Sequence, residues 1–267
     1  VAIWLWTINL RHNGTSSRLL EPAAGLATRK TSGPKDPLVT QTNYDYIIIG
    51  SGIAGLNVAL LAQEHGSVLI ITKGKIDDCN TRYAQGGIAA AIGPGDSSRL
   101  HLKDTLAAGV GLCDPEAVEV LTREGPERVA NLIHWGVAFD TIHGQIALGR
   151  EGAHSMPRIL HAGGDATGQH IEQALTERLT QSAITVMEYT LATKLVVEQS
   201  EVKAVDTLNA TTGQHQTFTG RFVVLATGGA GQLFSHTTNP KVATGDGIAL
   251  AFRAGAHVMD MEFYQFH

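Results

Sequence analysis

Apolar positions show no helical or strand period over residues 1–42, where an apolar start gives way to mixed Ser, Thr, Arg, Gly and Pro. This stretch reads as a disordered leader or a spurious N-terminal extension. Glu21 and the lack of a small-residue cleavage pattern set it apart from a signal or transit peptide. At Tyr44 the pattern changes. Residues 44–49 form a buried-strand run, Gly50-Ser51-Gly52-Ile53-Ala54-Gly55 a glycine turn, residues 56–65 a helix, and residues 67–72 a second apolar run. The whole is about thirty residues, the length of a right-handed parallel βαβ unit.

Helical spacing recurs over residues 101–109, 115–135 and 167–182, with Asp104, Glu116 and Asp165 near the helix starts. Carboxylates are favoured there by the helix dipole. Residues 184–189, 192–199, 202–209 and 215–219 alternate apolar and polar positions and predict a small antiparallel sheet. Residues 220–229 return as a buried strand of the main parallel sheet, ending in Gly228-Gly229. The predicted fold class is α/β: a Rossmann-like domain with a parallel sheet plus a small antiparallel sheet.

Composition narrows the function classes. With 43% apolar and 17% charged residues the chain can bury a large core, and 30 glycines against 8 prolines suit many tight βα turns. A net charge of -5 gives no attraction to nucleic acid or anionic lipid. The longest apolar runs fall far short of the ~20 residues of a membrane helix, so neither a nucleic acid nor a membrane is an expected partner. Cys79 and Cys113 lie far apart without zinc-ligand spacing, and the 12 histidines are scattered. No metal site is expected, and the compartment reads as reducing and cytoplasmic.

In Gly50-x-Gly52-x-x-Gly55 the first glycine makes the tight turn, the second admits a pyrophosphate against backbone, and the third lets helix pack on strand. The second strand ends in Thr72-Lys73 where a nicotinamide dehydrogenase would carry a ribose-binding carboxylate. That weighs against an NAD-linked enzyme and offers a lysine to ribose or phosphate oxygens instead.

Further motifs are Asn80-Thr81-Arg82-Tyr83-Ala84-Gln85-Gly86-Gly87, Ala226-Thr227-Gly228-Gly229, Thr238-Asn239-Pro240 to Thr244-Gly245-Asp246-Gly247, and Glu262-Phe263-x-Gln265-Phe266-His267. In this order the chain resembles the flavoprotein family of succinate dehydrogenase, fumarate reductase and L-aspartate oxidase from Tyr44 onward. The resemblance implies FAD bound by Gly50, Ser51, Gly52, Ile53, Ala54, Gly55, Lys73, Asn80, Thr81, Tyr83, Ala84, Gln85, Gly86, Gly87 and Asp246. Covalently flavinylated members carry histidine where this chain has Asn80, so non-covalent FAD is expected.

Arg150-Glu151-Gly152-Ala153-His154-Ser155, followed by Arg158-Ile159-Leu160-His161, resembles the signature of the aspartate oxidase branch. The resemblance places Glu151 by a substrate amino group, and Gln265 and His267 by a substrate carboxylate, as the candidate catalytic residues. The activity it implies is oxidation of L-aspartate to iminoaspartate, with O2 or fumarate as acceptor. This is the first step toward quinolinate in NAD biosynthesis, with quinolinate synthase as a possible partner.

Residues 43–258 read as the FAD-binding domain and 259–267 as the start of a capping domain. Family members complete that second domain with a catalytic arginine, so the chain reads as a fragment with the capping domain mostly absent and poor turnover of its own. The rivals are a fumarate reductase or succinate dehydrogenase-like flavoprotein subunit and a non-catalytic FAD-binding module.

Overall fold

The computed structural model describes residues 42–264, so the leader below Thr42 and the candidate residues Gln265 and His267 lie outside the described residues. In chain order the elements begin with β1 (Thr42–Ile49), α1 (Ile53–Ala62), β2 (Val68–Ile71), a 3-10 turn (Thr81–Tyr83) and β3 (Ile88–Ala89). They continue through α2 (Ser98–Ala108), α3 (Pro115–His134), β4 (Thr141–Ile142), β5 (Gln145–Ile146), β6 (Leu148–Gly149), β7 (Ile159–Leu160) and α4 (Thr167–Thr180). Last come β8 (Thr185–Met187), β9 (Thr190–Glu198), β10 (Glu201–Asn209), β11 (His215–Leu225), a 3-10 turn (Gly231–Leu233) and α5 (Asp246–Arg253).

One six-stranded sheet, ordered β8-β2-β1-β11-β10-β9, organises the fold. The apolar runs of β1 and β2 are continuous because both faces are covered. Ile48 and Ile70 point into a core with α1, α3 and α4, through Leu56, Leu60, Val129, Leu132 and Leu175. Ile47, Ile49, Leu69 and Ile71 point the other way, onto Leu195, Val205, Phe218 and Leu250. Helix ends follow local chemistry. Asp114 caps α3, accepting from the N–H groups of Glu116 and Ala117, and Pro115 stands at the first helical position, where its missing N–H costs nothing.

The structure refines two sequence expectations. The alternation over residues 184–189 predicts a strand of the antiparallel sheet, but β8 pairs parallel with β2, Ile70 opposite Val186, because α4 supplies the helical crossover that a parallel neighbour needs. Residues 215–219 and 220–229 were read as separate strands, yet β11 runs unbroken from His215 to Leu225. Its residues 215–219 pair antiparallel with β10 and its residues 218–225 parallel with β1, joining the two predicted sheets into one. Gly220 does not break it: a Cβ there would meet the Ile47 side chain at 2.8 Å, so the glycine makes room for a bulky neighbour. A separate three-stranded sheet, β3-β7-β6, stands beside the main one. No described helix is long and apolar enough to cross a membrane.

Candidate functional site

The C-terminal ends of β2, β1 and β11 meet at the glycine turn. The Gly50 N–H donates to the Ile71 carbonyl at 2.9 Å, and the Ala226 N–H donates to the Ile49 carbonyl at 2.8 Å. Gly50 sits at φ +110°, and a Cβ there would lie 2.2 Å from the Ala226 carbonyl oxygen, so only glycine serves. Inside the turn the Ser51 hydroxyl donates to Thr72 Oγ1 at 3.1 Å, both side chains buried. Helix α1 starts at Gly52 with no side-chain cap, leaving N–H groups of its first turn for a ligand anion. The Ile53 N–H is an exception and donates to Thr81 Oγ1 at 3.0 Å.

That bond ties the turn to the 80–87 segment. Asn80 Nδ2 in turn donates to Asn239 Oδ1 at 2.9 Å, bringing in the Thr238-Asn239-Pro240 run. Helix α4 supports the segment from behind, its Gly168 N–H donating to the Ala84 carbonyl at 2.9 Å. Tyr83, Gln85 and Gly86 are left exposed on the open side. Lys73 and Asp246, 173 residues apart in sequence, form an ion pair, and Thr244 donates to the same carboxylate at 2.9 Å. The lysine predicted to reach a ligand and the carboxylate predicted to accept from one thus belong to a single polar cluster. A cleft of about 440 Å³, within the range of small-molecule sites, opens alongside, lined by Gly74, Asp77, Arg82, Tyr83 and Tyr189 among others.

Glu151 lies on the 150–155 loop, which buried charge fixes at its base. Arg158 is fully buried, with Nε and Nη2 on the two oxygens of Asp96 at 2.9 and 2.8 Å and Nη1 on Asp104 Oδ2 at 2.7 Å. Asp104 also accepts from the Ser155 N–H and hydroxyl at 2.8 and 2.7 Å. Those two Ser155 bonds are the main reason its carboxyl is held well below the usual range. Ala153 sits at φ +68°, a left-handed conformation costing roughly 1 kcal/mol in a non-glycine residue. The loop is held tightly enough to sustain it. Glu151 itself is exposed, and its carboxylate lies 4.0 Å from His161 Nε2. A Cβ on Gly87 would lie 3.0 Å from the same nitrogen, so Glu151 and Gly87 both approach His161 Nε2.

Residues 45–267 match a family described as FAD binding domain. The chain belongs to this FAD-binding family. Its L-aspartate oxidase relative from Streptomyces coelicolor is 49% identical over 229 residues, which is 84% of this chain and 40% of that one. The chloroplastic L-aspartate oxidase of Arabidopsis thaliana is 47% identical over 84% of this chain and 35% of its own length. Among solved structures, Mycobacterium smegmatis Sdh1 superposes with a TM-score of 0.76 at 34% identity, covering 80% of this chain and 38% of that one. The chain therefore spans less than half the length of these relatives. FAD is the cofactor of the family, and the residues fit it: a glycine turn closed to any Cβ, an uncapped helix start and the exposed Tyr83, Gln85 and Gly86 converge at one end of the sheet.

Sequence reasoning missed Glu172 of α4. It is buried behind the 80–87 segment near the Cys79 thiol and the Thr176 hydroxyl, neither close enough to complete a bond, and among the described residues its carboxylate has no hydrogen-bond partner. Burial, with the Asp77 charge adding to it, pushes its pKa up to about 7. Burial, then the charge of Glu172, pushes the Cys79 thiol up to about 12. Only the glutamate's position inside the i, i+3, i+4 stripe of α4, where an apolar residue belongs, hinted at this.

A raised carboxyl pKa stabilises the fold below the unfolded value of 4.5, and the benefit is lost as pH rises through about 7. Glu172→Gln is therefore expected to be neutral at pH 4 and to stabilise by about 2 to 3 kcal/mol at pH 8. Urea unfolding at both pH values measures this, and equal shifts at the two would contradict a titrating Glu172.

Proposed function

We propose that the protein carrying this domain oxidises L-aspartate to iminoaspartate, with FAD bound non-covalently and O2 or fumarate as the final acceptor. The observation that carries the reading is Glu151, an exposed carboxylate on a rigidly anchored loop beside the Gln85-Gly86-Gly87 segment. A carboxylate there suits a substrate ammonium and would repel a plain dicarboxylate. The identity to L-aspartate oxidases over most of this chain supports the same reading.

FAD, when bound, supplies the two-electron acceptor for the Cα–H bond. The chain's own residues bind and orient. The turn at residues 50–55 and the start of α1 receive the pyrophosphate, while Lys73 and Asp246 present charge to ribose and phosphate oxygens. Thr81, Tyr83 and the backbone of residues 84–87 form the wall for the flavin, and Glu151 receives the substrate amine. Asn80, tied to Asn239, offers no imidazole for a covalent flavin link. Gln265 and His267 are assigned to the substrate carboxylate, with the division between FAD-binding and capping domains at residues 258/259. Free Cys79 and Cys113 suit a reducing compartment, the cytoplasm in this reading. Iminoaspartate formation makes the reaction the first step toward quinolinate in NAD biosynthesis, with quinolinate synthase consuming the imine.

The test is anaerobic mixing of the full-length protein with L-aspartate, following flavin absorbance, with succinate in parallel. Bleaching by aspartate alone is expected. Bleaching by succinate alone would move the protein to the dicarboxylate dehydrogenases. In the same assay Glu151→Gln is expected to raise the aspartate concentration needed for half-bleaching roughly 30-fold, the loss of one charge-assisted hydrogen bond of about 2 kcal/mol; an unchanged value would remove Glu151 from the site.

A further inference from the structure

We propose that His161 is a positioning residue for recognition of the substrate amino group: its imidazole fixes the Glu151 carboxylate against the Gly86-Gly87 segment, so that the pair meets the ammonium. The inference rests on the aspartate reading of the site and assigns the element that makes Glu151 selective.

Two glycines leave room for the imidazole. A Cβ on Gly87 would come within 3.0 Å of His161 Nε2, and one on Gly149 within 3.4 Å of its Cε1, so the ring occupies space that two missing side chains leave open. Its backbone is fixed. His161 follows β7, whose Ile159 and Leu160 are buried and pair with Ala89 and Ile88 of β3 and with Gly149 and Leu148 of β6. The His161 carbonyl accepts from the Asp140 N–H at 2.8 Å, and the next N–H, of Ala162, donates to Thr167 Oγ1 at 3.2 Å.

Glu151 is the more exposed member. Its side chain is 62% exposed against 32% for His161, and His161 is its one ion-pair partner among the described residues. The 4.0 Å between Oε1 and Nε2 is about 1 Å beyond a hydrogen bond, and in this proposal the pair closes that gap when it meets the ammonium. A free glutamate would lose rotamer entropy on meeting a substrate, and a fixed imidazole beside it removes part of that cost in advance. The other nearby carboxylate, Asp140, is occupied by the N–H groups of Gly163 and Gly164 at 2.9 and 3.0 Å, leaving Glu151 to the imidazole.

The pair serves only ligands that carry an amine, and the experiment uses that selectivity. In full-length holoenzyme, His161→Phe keeps an aromatic ring and removes both ring nitrogens. Its KM for L-aspartate is expected to rise about tenfold, the scale of one hydrogen bond of about 1.4 kcal/mol, with kcat changed less than KM. Succinate affinity, read from the flavin spectrum, is expected to stay within about twofold. His161→Gln, which keeps a donor at similar reach, is expected to recover most of the loss. Where the phenylalanine variant does not fold, His161→Asn, too short to reach Glu151, carries the same expected loss.

In a Glu151→Gln background the histidine change is expected to add nothing. Aspartate and succinate weakening together would show a structural role and overturn the proposal, as would an unchanged aspartate KM. If the wild-type flavin is not bleached by aspartate, the aspartate reading falls and this assignment falls with it. If it is bleached and the His161 variants match wild type, this assignment alone falls.

Discussion

Arg158→Met is expected to destabilise the domain by about 3–5 kcal/mol, the cost of breaking a buried ion pair from one side. Methionine matches the length and apolar bulk of the arginine stem, so lost packing is a minor part of the effect. What remains is charge. The Asp96 side chain is fully buried and that of Asp104 nearly so, and both now look to the guanidinium. Burial alone would raise the Asp96 pKa, but its bonds to Arg158 and to the Ser97 N–H outweigh that and hold it below the usual value. Without arginine, Asp96 keeps only its Ser97 N–H bond against burial, and Asp104 only its Ser155 bonds.

Depressed carboxylates stabilise the fold above their unfolded pKa of 3.8 and lose that contribution as pH falls through the lower folded value. Wild type is therefore expected to unfold in acid below about pH 4 partly through this network, and the variant to lack the share of it that Arg158 supplies. Urea unfolding at pH 7 and pH 3 measures both effects. Adding Asp96→Leu to the variant is expected to restore part of the loss by removing the stranded charge. A single-variant loss under about 1 kcal/mol would mean that water reaches the site and that the network does not hold the Glu151 loop.

How much of this was legible follows from how local each feature is. The glycine turn, α1 and α3 are legible because glycine spacing and apolar periodicity act within a few residues, although α1 already begins at Ile53, inside the predicted turn. The resemblance to the flavoproteins correctly pointed to FAD, the family's cofactor. The pairing of Lys73 with Asp246 and the three-residue cluster at Arg158 join positions 173, 62 and 54 residues apart, and no local pattern encodes them. Asp104 looked like an ordinary helix-start carboxylate when its role is to receive a buried arginine.

Helix α5 was missed because its eight residues sit among glycines that read as loop. His161 was visible as a letter in the Arg158-Ile159-Leu160-His161 run, but its neighbours Gly87 and Gly149 become meaningful only once β3, β6 and β7 lie side by side. Strand β11 was divided at Gly220 because glycine in a strand usually signals a bend, and only the position of Ile47 shows why it does not here.

Gly55→Val is expected to abolish FAD retention and to cost about 4 kcal/mol of stability, at the upper end of single-substitution effects. A Cβ at Gly55 would lie 2.0 Å from the Gly50 carbonyl oxygen and 3.0 Å from its carbon, against backbone that cannot yield as a side-chain tip would. Relief requires α1 to lift from β1 by an ångström or more, breaking its contacts with Ile48 and Ile70 through Leu56, Ala59 and Leu60. The same shift carries away the first-turn N–H groups and pulls Ile53 from Thr81, the bond linking the turn to the 80–87 segment. A misplacement of that size costs on the order of a hundredfold where geometry must be held, and the phosphate site is such a place. Gly86→Ala is the control, because a Cβ there meets nothing within 4 Å in the protein. It is expected to leave stability unchanged within about 0.5 kcal/mol and to weaken FAD only through direct contact with the cofactor. FAD titration by fluorescence quenching, paired with urea unfolding of the same variants, separates the two. Full FAD affinity in Gly55→Val would show that α1 does not carry the pyrophosphate site.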